Sequence, residues 1–289
     1  MEVVPFVQVN AFTRELSQGN PAVVVLLQPS AFHRQGASVW MQKVAHEKNL
    51  NATAFVSPRE RAEGDAAYDI KWFSPLVELT MCGHGTLSSA VALLDCGQVL
   101  PTQTIRFYNR TNVLVCRYEV APDQRVRVVL DFPVKPICRL PPGTSREVVA
   151  TALGVSTTGI LDIQLALNDV IVRVDKETFS TLKPDFNRLS KIYTGRFAVT
   201  TEALSDVGDF QSRFFAPRIG INEDPVTGSA HCGLGPYWSS ILSKKTLVGY
   251  QSTPTRGGFI EMHLNEEYLD RVQLKCEGVV VGRGILTVL

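Results

Sequence analysis

Trp72-Phe73-Ser74-Pro75 runs on to Cys82-Gly83-His84-Gly85-Thr86, and Phe214-Phe215-Ala216-Pro217 runs on to Asp224-Pro225-Val226-Thr227-Gly228. Laid over each other without a gap, the two stretches are offset by 142 residues, with Cys82 opposite Asp224. That offset is close to half of the 289-residue chain. It indicates a duplicated domain and not a solenoid, whose units run about 20–50 residues. Both stretches pass through small residues into an apolar helical pattern. Small residues ahead of a helix leave backbone N–H groups exposed, and with the helix dipole they seat an anion such as a carboxylate. Asp224 sits on the lip of such a seat. A capped helix start and a catalytic site both remain open readings of Asn222–His231 at this point.

The composition narrows the classes. A hydrophobic content of 45 % with 20 % charged residues is that of an ordinary globular protein with room for two cores. A net charge of +1, with basic residues scattered, gives no reason to expect nucleic acid or an anionic membrane as partner. The six cysteines (82, 96, 116, 138, 232, 276) show no CxxC spacing, which argues against zinc and against a disulfide framework. No charged-then-apolar signal pattern opens the chain, and no apolar run approaches the ~20 residues of a membrane span. A soluble cytoplasmic protein is the expectation.

Along the chain, strands are expected at 3–11, 22–27, 53–56, 68–73, 103–108, 112–120 and 126–132. In the second half they fall at 161–167, 169–174, 197–201, 211–215, 246–251, 258–264, 272–277 and 278–289. Helices are expected at 38–48, 86–94, from Ser145 to Leu153, after Asp185, and at 229–242. Strands outnumber helices, and the strand–helix alternation of a doubly wound sheet is missing. A curved sheet around one apolar helix, made twice, fits better: an α+β fold in two domains. The helix carrying Leu87, Ala90, Val91, Ala92, Leu93 and Leu94 reads as interior. The domains are cut either in Ala121–Arg125 or in the proline-rich Phe132–Pro142; the first choice gives 1–121, completed by the strand 278–289, and 122–277.

Asn10-Ala11-Phe12-Thr13 with Gly19-Asn20-Pro21-Ala22, Asn49-Leu50 with Thr53-Ala54-Phe55-Val56, Trp72–Pro75 with Cys82–Thr86, and Glu223–His231 resemble the PhzF-like (phenazine-biosynthesis-like) family. They occur in that family's order and cover essentially the whole chain. The resemblance implies the diaminopimelate-epimerase-like fold: two pseudo-symmetric halves, each a largely antiparallel sheet rolled around a central helix, with the site between them. It implies no cofactor and no metal, a small carboxylate-bearing substrate, and a homodimer. The best understood member of the family isomerises a dihydro-hydroxyanthranilate by moving a proton along a conjugated system. Asp224 matches the family's essential aspartate and His84 the histidine beside the site. Asn20, Gly85, Thr86, Gly228, Ser229 and His231 are the positions implied for substrate binding. Such chemistry needs placed acid and base groups and stabilisation of an enol-like charge, which helix-start amides supply.

One position departs from the pattern. The family's principal acid/base is a glutamate in an Asn-Leu-Ser-Glu-Thr motif, and here the segment is Asn49-Leu50-Asn51-Ala52-Thr53. A methyl group cannot shuttle a proton. Cys82 is the expected substitute, as the repeat partner of Asp224 with a thiol at a helix start. Glu47, five residues before Ala52, need not point the same way. Arg256 reads as a solvated turn residue, or as a guanidinium for a carboxylate. Beside the isomerase stand two other readings: a catalytically impaired member that binds a small molecule or a protein, and a thiol-dependent racemase.

Overall fold

The computed structural model describes residues 2–60, 65–121, 123–204, 208–264 and 270–288. The chain divides into two compact units, one of Met1–Phe132 with Gln273–Leu289, the other of Pro133–Val272. The first cut therefore falls at the start of the second expected place, Phe132–Pro142, and not after Ala121. A break there would split an antiparallel ladder that runs from Val115 opposite Asp131 to Val120 opposite Val126. The second lies at 272/273, ahead of Gly278.

The first unit comprises β1 (Glu2–Ala11), β2 (Asn20–Leu26), α1 (Pro29–Phe32), α2 (Ala37–Lys48), β3 (Ala52–Pro58), β4 (Ala66–Phe73), β5 (Glu78–Leu79), α3 (Gly83–Asp95), β6 (Ile105–Tyr108), β7 (Val113–Val120) and β8 (Val126–Pro133). Its ladders join β1–β2, β2–β3 (parallel), β3–β4, β4–β6 (parallel), β6–β7 and β7–β8. At the end of the chain, β17 (Arg271–Cys276) pairs with β8, and β18 (Gly278–Val288) pairs with β1. Only Glu277 separates those two strands. The sheet's two borders are thus joined by one residue, and the sheet must curl until it closes.

Strand alternation assigns the two faces. Val23, Val25, Phe55 and Phe73 pack outward with Met41, Val44 and Ala45 of α2. The opposite face carries Ala22, Val24, Ala54 and Trp72, all buried, and α3 lies against β1, β2, β3 and β18. Small residues on both surfaces allow that close approach. The expected interior helix is found: ten of its residues are buried, including Ser88 and Ser89. Leu87 and Leu93 are fully enclosed, a contribution of about 1.5–3 kcal/mol each.

The second unit repeats this path. It holds β9 (Ile137–Cys138), α4 (Arg146–Leu153), β10 (Ile160–Ala166), β11 (Asp169–Val174), α5 (Lys176–Ser180), α6 (Phe186–Lys191), β12 (Phe197–Glu202), β13 (Phe210–Ala216), β14 (Ile221–Asp224), α7 (Gly228–Leu242), β15 (Thr246–Ser252) and β16 (Gly257–Leu264). The run β11–β12 (parallel), β12–β13 (antiparallel), β13–β15 (parallel) mirrors β2–β3–β4–β6, with short β14 on β13 as β5 is on β4. In register, Phe197 opposite Phe215 corresponds to Thr53 opposite Phe73. The duplication read from fifteen residues extends through the strand order. Ser145 caps α4 as expected, its hydroxyl accepting from the Val148 N–H. Among the described residues no helix is long and apolar enough to cross a membrane.

Candidate active site

The start of α3 is closed on itself. Cys82 is its N-cap, the sulfur accepting from the Gly85 N–H at 3.4 Å. The same sulfur lies 3.5 Å from His84 Nδ1, and both side chains are buried. Thr86 donates its hydroxyl to the Cys82 carbonyl at 2.7 Å, and Ser89 donates to the Gly85 carbonyl at 2.7 Å. Gly85 is glycine for lack of space: a Cβ there would meet Trp72 Cδ1 at 2.7 Å and Cys82 Sγ at 3.1 Å. Trp72 Nε1 is enclosed beside it with no hydrogen-bond partner.

The start of α7 is built differently. Asp224 is the last residue of β14, not the cap of the helix as its place opposite Cys82 implied. The cap position is Thr227, three residues later, and its own side chain makes no capping hydrogen bond. Strand alternation sends the two acids to opposite faces. Glu223 takes Arg213 in a two-point pair at 2.6 and 3.0 Å. Asp224 turns inward, 5 % exposed, and its Oδ2 accepts from the Thr227 hydroxyl at 2.5 Å. Gln251, fully buried on β15, clamps the loop: Nε2 donates to the Asp224 carbonyl at 2.8 Å and to Thr227 Oγ1 at 3.0 Å. Its Oε1 accepts from the Thr227 N–H at 2.9 Å. Because Thr227 Oγ1 receives from the amide, its own proton is the one given to Asp224 Oδ2. Gly228 and half-buried Ser229 occupy the first turn.

His231 does not reach this surface. It is fully enclosed, stacked on Phe210 at 5.9 Å, and its Nδ1 lies 2.9 Å from the Thr227 carbonyl. Its Nε2 has no partner, and burial pushes its pKa down to about 4. The ring is a neutral, enclosed group that ties the first turn, as Ser89 does 142 residues earlier. Asn20 is buried at the start of β2, opposite Ala11. Ala52 is buried opposite Ala22 on the α3 face, and Glu47 is exposed on α2, which covers the other face. Glu47 therefore cannot stand in for the absent glutamate. Arg256 closes the β15–β16 turn through bonds with Thr253.

Sequence reasoning missed one cluster. Asp169, 1 % exposed at the start of β11, receives Lys135 Nζ on one oxygen and Arg196 Nε at 2.6 Å on the other. By the register above, Asp169 and Arg196 hold the places that Ala22 and Ala52 hold in the first unit. Lys135 is brought there by Pro236. A proline inside α7 cannot donate to the Cys232 carbonyl, and the Lys135 N–H takes that carbonyl at 3.0 Å. Pro236 was the available signal, since an interior proline frees a carbonyl four residues back.

A family model described as phenazine biosynthesis-like protein matches residues 9–284. The chain is 36 % identical to an uncharacterized isomerase of Halalkalibacterium halodurans, over 99 % of each chain. The crystal structure of a phenazine biosynthesis protein of the PhzF family from Enterococcus faecalis superposes with a TM-score of 0.81 at 31 % identity, over 99 % of this chain and 100 % of that one. A hydroxyproline epimerase from Agrobacterium vitis, solved with trans-4-hydroxy-L-proline, shares the fold at a TM-score of 0.58 and 11 % identity, over 98 % and 92 %.

Proposed function

Because the chain belongs to the phenazine biosynthesis-like protein family, we propose that it is a cofactor-independent isomerase that moves a proton on a small carboxylate-bearing metabolite. Its relatives named as isomerases support the reaction class. The observation that carries the assignment is the Thr227–Asp224 hydrogen bond under the Gln251 clamp. It fixes the Asp224 carboxyl beside the helix start at Thr227, whose own side chain makes no capping hydrogen bond. Asp224 is the base. Gly228 and Ser229 present N–H and hydroxyl groups to the carboxylate or enolate, where charge develops. His84 is the second proton-transfer group. Cys82 positions its ring while capping α3, with Gly85 and Thr86 forming that turn.

The test is proton exchange. Small carboxylates incubated with the protein in D₂O and followed by ¹H NMR should lose a C–H signal, and Asp224→Asn should slow that loss by ~10²–10⁴-fold. The variant's melting curve should stay that of the wild type. Exchange at an unchanged rate in Asp224→Asn contradicts the assignment. Ala52, where the family's glutamate is missing, favours one second reading: a binding module that has lost catalysis. That reading requires binding of a carboxylate with no exchange at all.

A further inference from the structure

We propose that Arg196 is the anion-binding residue of the second unit, held by Asp169 and Lys135 to receive the carboxylate of the ligand. The cluster has two cations and one anion, so it carries an uncompensated positive charge in a largely enclosed place. Each oxygen of Asp169 takes one of the two cations. Arg196 is attached through Nε alone, and among the described residues neither Nη donates to a protein atom. Its side chain is 23 % exposed and lies over the Phe214 ring with Cζ 5.2 Å from the centroid. A guanidinium fixed at Nε and stacked on a ring presents its Nη edge in one orientation, which suits two-point recognition of a carboxylate. The fold does not demand charge here, because the first unit fills the same register positions with Ala22 and Ala52.

Arg196 also lies on the face that carries Asp224. Phe214 is directly opposite Asp224 on β14, so the two side chains share a face, and the Arg196 guanidinium lies over that Phe214 ring. One ligand with its carboxylate on Arg196 and a C–H at Asp224 fits that placement. The inference rests on the reading of Asp224 for where the reacting carbon lies, and on Arg196 alone for binding.

The experiment is a binding screen by calorimetry with acetate, malonate, proline, benzoate and anthranilate, each against its amide, on wild type, Arg196→Gln and Arg196→Lys. At least one carboxylate should bind the wild type while its amide does not. Arg196→Gln should weaken it ~10- to 100-fold, the range for a charged hydrogen bond, and Arg196→Lys should restore part of the loss. A guanidinium resonance of Arg196 that moves on titration with the carboxylate gives the same answer on the unmodified chain. Absence of any carboxylate binding, equal binding by Arg196→Gln, or a stationary resonance overturns the proposal. Loss of binding in Arg196→Gln with no exchange by the wild type would instead overturn the isomerase reading and leave this one standing.

Discussion

The two helix starts descend from one plan and have been put to different uses. At α3 the cap is a thiol, the first turn is closed by Cys82, and the neighbouring sheet positions are Ala22 and Ala52. At α7 the cap side chain is turned away to Asp224 and makes no capping hydrogen bond, and the same sheet positions carry Asp169 and Arg196. What is shared is structural: Ser89 and His231, 142 residues apart, each bond the carbonyl four residues before them. What differs is charge. Duplication preserved the scaffold bonds and left the polar positions free to diverge, so the second unit concentrates acid and cation where the first is apolar.

The largest effect expected is at the ion cluster. Asp169→Ala leaves Lys135 and Arg196 without their anion, a cost of about 3–5 kcal/mol in denaturant unfolding. Ala22 tolerates the same side chain in the first unit, so a cost below about 1 kcal/mol would mean that the cluster adds nothing to the fold.

His231→Ser places the first unit's residue in the second. The folded pKa of His231, about 4, lies below its ordinary value of 6.5, so the unfolded chain takes up the proton first as pH falls. Stability from this group is complete above pH 6.5 and drains away as pH falls toward 4, by about 3 kcal/mol in all. The variant should flatten that part of the stability-versus-pH curve. A slope unchanged by the substitution would show that the histidine is not the titrating group.

Gly85→Ala tests the tighter of the two turns. The added methyl meets Trp72 and Cys82, and about 1–3 kcal/mol is expected in thermal unfolding. The corresponding residue in α7 is Thr227, whose side chain is accommodated. A neutral Gly85→Ala would show that the two turns are equally roomy.

The smallest effect belongs to Cys82→Ser. A hydroxyl replaces a sulfur as cap, and stability should change by less than about 1 kcal/mol, since serine is the better N-cap. A larger loss would mean that the sulfur's volume against Gly85 matters more than its acceptor.

The repeated Phe-x-Pro stretch made the two-unit architecture legible, because a duplication leaves its mark in short rigid motifs. The interior nature of α3 was legible as well, from a run of apolar and small residues with no charge. The first boundary was legible only as one of two places: residues 122–132 belong to the first unit through a hairpin ladder, and ladder partners are set by register, not by local composition. The three-residue delay between Asp224 and the cap of α7 was hidden because the gapless overlay equates Cys82 with Asp224, while Pro225 and Val226 extend the loop. Gln251 and Arg196 were silent for a common reason. Each lies on a strand or turn far along the chain from what it touches, and no spacing rule connects residue 251 to 224 or 196 to 169.

In the proposed reaction Asp224, before the start of α7, carries the proton transfer, and Cys82 at the start of α3 does not. The most direct measurement is deuterium wash-in on one bound carboxylate, run in parallel on wild type, Asp224→Asn and Cys82→Ser. Exchange lost in Asp224→Asn and kept within ~10-fold in Cys82→Ser is the result expected. Exchange that survives in Asp224→Asn and disappears in Cys82→Ser would contradict the account and move the chemistry to the thiol.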